Sequence, residues 1–304
     1  MAYLHEDQKS FTAAVNLAGK YFQIPPRIIE KDYYVTMILR ELSSRLPFMV
    51  FKGGTSLSKC YQVIDRFSED IDITTDTKLT QGQMRKLKAE IQNIADKLGL
   101  QIPNIGETRS RQRFNRYDLT YRSILNYKND NCISSSVILE TAFAEVSFPT
   151  VRLPVRSYIG NMMQTEAPEA IHGYGLSPFE MKVQRIDRTF ADKVFAICDY
   201  YLQGRIKKYS RHIYDIYKLL PLVALNEDMK LLVHKVRLVR VESSICPSAQ
   251  PGVNIPELLH EIVKTGIYKE DYQTITSLLL NEPVSYETAI LAIQKIADSG
   301  IFEE

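Results

Sequence analysis

Two aspartates separated by one residue, Asp70 and Asp72, are the side chains of this sequence best placed to do chemistry. They belong to the alternating segment DIDITT, which predicts a strand with both carboxylates on one face and Ile71 and Ile73 on the other. Two carboxylates about 7 Å apart repel each other unless a cation lies between them, and Mg²⁺ is the cation that such oxygens favour. An exposed edge strand with its acids facing solvent is the alternative interpretation.

A glycine pair upstream of the aspartates predicts a phosphate-binding turn. The run FMVFKGG has the composition of a short buried strand ending at Gly53 and Gly54, and the helical spacing that follows places Thr55 to cap a helix. Such a turn directs backbone N–H groups and the positive end of a helix dipole into one space. Lys59 does not complete a Walker A loop. A glycine turn is common by itself, but together with the two aspartates it predicts a site for a phosphate and a metal ion.

The remaining pattern predicts a mixed α+β fold in three parts: N-terminal helices over residues 1–45, a core over residues 46–165 and a helical domain over residues 166–304. Pro25 and Pro26 mark the start of a helix in the first part. Besides the strands above, the core is predicted to hold an amphipathic helix over residues 80–100 and two or three strands within residues 113–124, 135–143 and 154–159. After Pro178 the periodicity predicts helices over residues 189–203, 210–221, 226–237, 256–264, 268–281 and 285–298.

Composition favours a globular cytoplasmic protein. Hydrophobic residues make up 45% of the 304 residues, and we see neither a targeting segment nor an apolar run long enough to span a membrane. The cysteines, Cys60, Cys132, Cys198 and Cys246, lack the spacing of a zinc site and fit reduced thiols. The net charge of +2 divides into −6 over residues 251–304 and +8 before them. This distribution is compatible with an anionic substrate but is too dilute for a dedicated nucleic-acid binder.

Four motifs in order, GGTSLSK, RFSEDIDI, ADKVFAI and RHIYDIYKL, resemble those of the AbiEii/AbiGii toxin nucleotidyltransferases, within the DNA polymerase β-like superfamily. The earlier segment EKDYYVTMIL is also similar to one in that family. The resemblance implies a nucleotidyltransferase core with a small mixed sheet. It further implies NMP transfer from an NTP to an acceptor hydroxyl, often at the 3′ end of tRNA, with Mg²⁺ or Mn²⁺. The protein would then be the toxin of a toxin–antitoxin or phage-defence system, partnered by an antitoxin protein.

The resemblance also implies roles for individual residues. Gly53, Gly54 and the hydroxyls after them would hold triphosphate oxygens, and the spacing leaves open which of Thr55, Ser56 and Ser58 does so. Asp70 and Asp72 would bind the metal, and Ser68 would lie in the active site. Lys193 and Asp215 would match the family's lysine and late aspartate. Further nucleotide contacts are predicted for Lys59, Lys193 and Arg211.

A third metal-binding carboxylate is common in this superfamily, and Glu140 is the best candidate for it. Glu140 lies in the apolar segment VILETAF, where a lone acid needs a cation or a hydrogen-bond donor. Glu145 and Asp118 are the alternatives for that ligand. A structural salt bridge would account for Glu140 equally well.

The residues around Lys193 and Asp215 support their roles less directly. Thr189 and Asp192 could form a capping box, which would place Lys193 in a first helical turn, reaching toward a phosphate. A solvated lysine is the alternative. Asp215 lies beside an apolar stripe and needs a partner, which could be Lys193, Arg211 or a nucleotide hydroxyl.

Two basic clusters predict an RNA acceptor. The first contains Arg109, Arg111, Arg113 and Arg116, the first three of which would share a face in an extended segment. The second contains Arg205, Lys207, Lys208 and Arg211, interleaved with Tyr200, Tyr201, Tyr209 and Tyr214. Basic side chains contact phosphates and aromatic rings stack on unpaired bases, although a solvated basic face would show the same pattern.

Rival functions are nucleotidylation of a protein or small molecule, phosphotransfer, and nucleotide binding without turnover.

Overall fold

The structure, a computed structural model, describes residues 2–68, 70–109, 112–125, 134–243 and 245–303, and only the backbone of residues 144 and 145. The chain divides into two compact units. Unit 1 comprises residues 1–61 and 68–183, and unit 2 comprises residues 62–67 and 184–304. In this division residues 1–45 and 166–183 lie in the same unit as most of the predicted core, and the predicted division into three parts stays a prediction.

Unit 1 carries the sheet and the helices that cover it. Its elements are α1 (Gln8–Phe22), α2 (Pro26–Arg45), β1 (Met49–Lys52), α3 (Gly53–Ser56), β2 (Ile71–Thr75), α4 (Gln81–Lys97), β3 (Phe114–Thr120), β4 (Ser136–Val146), β5 (Thr150–Val155), α5 (Tyr158–Glu166) and β6 (Phe179–Gln184). A π-helical stretch over Leu57–Tyr61 continues α3. Within the described residues the six strands form one mixed sheet in the order β3-β4-β2-β1-β6-β5. The predicted α+β class is thereby confirmed.

The two faces of the sheet differ in burial, as the alternating sequences predict. Ile71, Leu139 and Tyr117 are register partners on β2, β4 and β3, and all three are buried. They pack into a core with helices α2 and α4, to which Ile38 and Ile91 contribute. The residues that directly follow Ile71, Leu139 and Tyr117 on their strands point to the opposite face of the sheet and are partly exposed. The sheet therefore has one covered face and one more open face at β2, β3 and β4.

The helix predicted to start at the proline pair and the amphipathic helix predicted over residues 80–100 are present. Helix α2 begins at Pro26, directly after Pro25, as the proline pair indicates. Helix α4 begins at the cap residue Thr80, whose side chain accepts from Gln83 N, and Gly99 after its end has φ +65°.

Two strand predictions need correction. Residues 179–184, placed in a helical region, form β6, which pairs in parallel with β1 at Phe51 and Val183. In FEMKVQ the buried Met181 and Val183 lie on either side of the more exposed Lys182, which is a strand period. The strand predicted within residues 154–159 lies earlier, at Thr150–Val155, because Ser157 caps helix α5 through Gly160 N.

From Ile186 onward, unit 2 is mainly helical, as predicted. Its helices are α6 (Ile186–Leu202), α7 (Arg211–Leu219), α8 (Glu227–Arg240), α9 (Ile255–Thr265), α10 (Lys269–Thr274) and α11 (Tyr286–Ala297). The helix predicted over residues 268–281 is shorter and is followed by a 3₁₀ turn at Thr276–Leu279. Phe195, Ile213, Leu259 and Ile293 are fully buried, one each from α6, α7, α9 and α11. Among the described residues, the helices fall short of the length and apolar character that a membrane crossing requires.

Candidate active site

A row of charged residues crosses the open face of the sheet. Asp72 on β2 is the register partner of Lys52 on β1 and of Glu140 on β4, and Glu140 is in turn the partner of Arg116 on β3. Register partners project to the same face, and neighbouring strands are about 4.8 Å apart. The sheet thus places two carboxylates side by side between two cations.

Asp70 immediately precedes β2 and has a carboxylate oxygen suited to a cation. Its Oδ1 atom is buried and has no hydrogen-bond partner among the residues that the structure describes. A buried carboxylate oxygen without a donor is costly, and a bound cation would relieve that cost. The side chains of Ile71 and Ile73 are buried on the opposite face of the sheet, as the alternating pattern predicts. Asp70 and Asp72 therefore offer the oxygen donors that Mg²⁺ takes together with water and substrate phosphates.

Glu140 does not complete a ready metal cage with these aspartates. No group of three Asp, Glu, His or Cys side chains within the described residues is arranged to hold a metal ion. Its place next to Asp72 in the sheet keeps Glu140 as a predicted third ligand. Of the alternatives, Asp118 pairs with Arg116 at 2.8 Å, and the side chain of Glu145 lies outside what the structure describes.

Gly53 is the residue that lets Asp72 approach the turn. A Cβ atom at position 53 would lie 1.9 Å from Asp72 Oδ2, and Gly53 has φ +78°, which side chains rarely adopt. The glycine thus makes room for a carboxylate of the site, in addition to the phosphate approach that the sequence suggests. The helix begins at Gly53 itself, so the prediction that Thr55 caps it is wrong.

Gly53→Ala is expected to impair both stability and transfer. The methyl group must displace Asp72, and positive φ costs an alanine roughly 1–2 kcal/mol. We expect the free energy of unfolding to fall by about 2 kcal/mol and the transfer rate by about 100-fold, since a small misplacement of a reacting group has that effect. Gly106→Ala is the matched control, because no atom lies within 4 Å of its added Cβ. Equal effects of the two substitutions, in denaturation and in steady-state rate, would contradict this role.

The hydroxyl groups after the glycines have different partners. Thr55 is buried, and its Oγ1 lies 3.0 Å from Ser68 Oγ, which joins the glycine turn to the segment before Asp70. Ser56 Oγ donates to Gly53 O at 2.8 Å, and Ser58 Oγ donates to Thr55 O at 3.1 Å. Of the three candidates for phosphate contact, Thr55 is therefore the one linked directly to Ser68. The structure brings together Gly53, Thr55, Ser68, Asp70 and Asp72.

Lys59 binds protein oxygens in this fold, and its contact with a nucleotide stays a prediction. Its Nζ donates to Asp32 Oδ1 at 2.5 Å and to Thr36 Oγ1 at 2.7 Å, and it is also 3.3 Å from the carbonyls of Asp32 and Arg156. An ammonium group has three donors, and these oxygens use them. Asp32 belongs to the segment EKDYY and also accepts from Tyr158 N. The segment EKDYY is thereby anchored to the residues that follow the glycine pair.

In unit 2, Asp215 is held by two cations. Its fully buried carboxylate accepts from Lys193 Nζ at 2.5 Å and from Arg66 Nε and Nη2 at 2.7 and 2.8 Å. Of the partners considered, Lys193 is therefore the one present. Helix α6 begins at Ile186, so Lys193 lies beyond the first turn, and Thr189 and Asp192 instead accept from Gln184 Nε2. The predicted capping box is wrong.

Arg66 is the member of this cluster that sequence reasoning missed. It lies in the quoted motif RFSEDIDI, and a bidentate arginine is a frequent partner of a buried carboxylate. Burial would raise the pKa of Asp215, but Arg66 and Lys193 outweigh it and hold that pKa well below its usual range. Burial lowers the pKa of Lys193, against the attraction of Asp215. Asp215 therefore stays ionised across the physiological range.

His212 lies beside this cluster as a neutral imidazole. Both ring nitrogens are buried and have no hydrogen-bond partner within the described part of the chain, and the ring stacks with Tyr200 at 5.7 Å between centroids. Burial lowers the pKa of His212 well below its ordinary value, and the nearby charges of Lys193 and Arg211 lower it further. Arg211 itself stays a predicted nucleotide contact.

His212 is expected to make the protein less stable in mild acid. Because its folded pKa is depressed, the unfolded chain binds a proton first as the pH falls through about 6.5. Between about pH 7.5 and 5.5 this contributes about 1 kcal/mol of lost stability. His212→Phe, which keeps the stacked ring, should remove that part of the pH dependence in denaturant titrations. His260→Asn, at an exposed position, should leave it in place, and equal behaviour of both variants would contradict the assignment.

The predicted basic clusters are only partly available for RNA. Tyr200 and Tyr209 stack on each other at 3.6 Å, with Arg205 over both rings. Tyr214 is buried, so its ring has no access to a base. In the first cluster, Arg109 and Arg113 precede β3 rather than sharing a strand face, and Arg111 lies outside the described residues.

Comparison with known proteins decides the family. The family model described as nucleotidyl transferase AbiEii toxin, type IV TA system, matches residues 38–289. The chain belongs to this family. It is thus a nucleotidyltransferase toxin of a type IV toxin–antitoxin system, as the four motifs indicate. A comparison with curated protein sequences gives no match.

A solved structure agrees with this assignment at the level of the fold. The AbiEii family member described here is similar to MenT4, a nucleotidyltransferase toxin from Mycobacterium tuberculosis H37Rv, with a TM-score of 0.52 and 17% identity. The similarity covers 95% of this chain and 90% of that one. It extends over both units, including the C-terminal helices for which the sequence offered no motif.

Proposed function

We propose that this AbiEii nucleotidyltransferase moves an NMP unit from an NTP to the 3′ end of tRNA, with Mg²⁺ or Mn²⁺ as its metal. The observation that carries the proposal is the buried, unpartnered Oδ1 of Asp70, close in sequence to Asp72, which itself lies against the Gly53 turn. A phosphate-binding turn beside two carboxylates is the arrangement that metal-assisted phosphoryl chemistry needs.

The residues of unit 1 have distinct parts in this scheme. Asp70 and Asp72 would hold the metal, with Glu140 as a further ligand. Bound there, the metal would neutralise charge on the phosphate oxygens. The turn at Gly53 and Gly54 would receive the triphosphate, and the linked hydroxyls of Thr55 and Ser68 would keep it beside the aspartates. The acceptor hydroxyl bonds to the α-phosphorus, the bond to the bridging oxygen breaks, and pyrophosphate leaves.

Lys193, Asp215 and Arg211 enter the proposal from the family motifs. All three lie in unit 2, where Asp215 fixes the ammonium group of Lys193 at 2.5 Å. A lysine held in this way is a suitable point charge for a phosphate. As a toxin, the protein would disable the tRNA acceptor end until an antitoxin counters it, and phage defence is a setting in which such growth arrest is useful.

The acceptor is tested by labelling. Purified protein with Mg²⁺ and each α-labelled NTP in turn is incubated with tRNA, with total RNA and with a proteome freed of RNA. We expect label on tRNA, removable by a 3′ exonuclease, from one preferred NTP. Label on protein or on a small molecule would replace the tRNA proposal, and binding of NTP without label transfer would favour a module without turnover.

A further inference from the structure

The open face continues beyond Glu140 onto strand β3, which is an edge of the sheet. Phe114, Arg116 and Asp118 are the register partners there of Ala142, Glu140 and Ile138. Residues two apart on a strand share a face, so these three side chains project to the side that carries Asp72 and Glu140. None of these three β3 side chains has a role in the proposed reaction.

Phe114 is an unusual residue for this position. It is 53% exposed on an edge strand, where natural sheets favour charged or interrupted sequences that prevent pairing with other chains. Among the described residues of unit 1, Tyr21 on helix α1 is an aromatic residue of comparable exposure. The ring of Phe114 is open to solvent on the same side of the sheet as the row of charged residues. It is therefore suited to stack on a flat ligand.

Arg116 is held next to Phe114 along the strand. Its Nε donates to Asp118 Oδ1 at 2.8 Å, and its side chain is 51% exposed. The Arg116 guanidinium is therefore an oriented cation at the end of the charged row, suited to a phosphate or to the edge of a base.

We propose that Phe114 and Arg116 form a nucleobase-binding subsite, in which a base stacks on the Phe114 ring and Arg116 contacts the attached phosphate or base edge. Asp72 and Phe114 are separated by two spacings between neighbouring strands and by one two-residue step along a strand. Their Cα atoms are therefore about 12 Å apart. This matches the reach of a nucleotide from its phosphates to its base. The inference rests on the proposed function, and the base belongs either to the NTP or to the terminal nucleotides of the RNA acceptor.

The test uses the full chain and four variants. Phe114→Ala removes the ring, Phe114→Tyr keeps it, and Phe114→Leu keeps an apolar side chain without a π face. Tyr21→Ala is the matched control for loss of an exposed aromatic residue in the same unit. Steady-state transfer gives KM and kcat for the NTP and for tRNA separately, and calorimetric titration with NTP and with a short CCA-ended RNA gives Kd without turnover.

Stacking of a base on an aromatic ring predicts that Phe114→Ala raises KM and Kd about 5- to 100-fold for one of the two ligands. The value of kcat should change little, Phe114→Tyr should behave as wild type, and Phe114→Leu should resemble Phe114→Ala. The ligand affected identifies the source of the base. Unchanged KM and Kd for both ligands, a wild-type Phe114→Leu, or an equal effect of Tyr21→Ala would overturn the subsite. If the wild-type chain transfers nothing but binds nucleotide in a manner dependent on Phe114, the proposed function fails and the subsite stands.

Discussion

Asp70→Asn is expected to lower the rate of nucleotide transfer by about 10³-fold or more, with no loss of folded structure. The substitution keeps the shape of the side chain but removes the negative charge at the buried Oδ1 position, where we place the metal. A thousandfold loss corresponds to about 4 kcal/mol of transition-state stabilisation. Single-turnover rates with labelled NTP measure it, and circular dichroism verifies the fold.

The control for this substitution is Asp76→Asn. Asp76 follows β2 directly, but its carboxylate forms a partly exposed ion pair with Lys182 at 2.7 Å. Such pairs contribute about 0–1 kcal/mol, so transfer and stability should stay near those of wild type. An Asp70→Asn variant that retained a tenth of the wild-type rate or more would exclude Asp70 as a metal ligand.

Asp215→Ala is expected to lower the free energy of unfolding of unit 2 by about 3–5 kcal/mol. The substitution leaves Lys193 and Arg66, both nearly buried, without the carboxylate that they share. The loss of stability comes mainly from the buried positive charges that no longer have a counter-charge, and less from the volume of the removed side chain. The chain has no tryptophan, so far-UV circular dichroism in a denaturant titration is the suitable probe.

Two further variants separate charge from packing at this site. Replacing all three residues with apolar ones, Arg66→Met, Lys193→Met and Asp215→Leu, should recover much of the loss, because no buried charge then remains. Asp298→Ala, at an exposed position of unit 2, should change stability by less than about 0.5 kcal/mol. A loss below about 1 kcal/mol for Asp215→Ala would contradict the burial of the pair.

Local patterns in the sequence predicted most of the elements and the position of the paired aspartates. The alternation in DIDITT reports directly on which face each residue occupies, and Pro26 and Gly99 mark helix ends through their own backbone restrictions. Strand β6 was missed because it is short, follows Pro178 and depends on pairing with β1, which lies far away in the sequence. Short strands buried by distant partners carry little local signal.

Partners of the site residues were harder to predict because they are distant in sequence. Arg66 and Asp215 are 149 residues apart, and nothing near either residue identifies the other. Lys59 was interpreted from its place after the glycines, whereas its partners Asp32 and Thr36 lie on α2, 27 and 23 residues earlier. Gly53 was singled out from the sequence for its place in a turn, but its contact with Asp72 depends on the register of β1 and β2.

The position of the transferred phosphorus tests the central claim most directly. Wild-type protein is incubated with tRNA, Mg²⁺ and the preferred NTP, labelled in one reaction at the α-phosphate and in a parallel reaction at the γ-phosphate. Nucleotidyl transfer predicts label on the tRNA from the α position only, with the γ label recovered in pyrophosphate, and neither product with Asp70→Asn. Label on the acceptor from the γ position, with release of the nucleoside diphosphate, would contradict the account and identify a phosphotransferase.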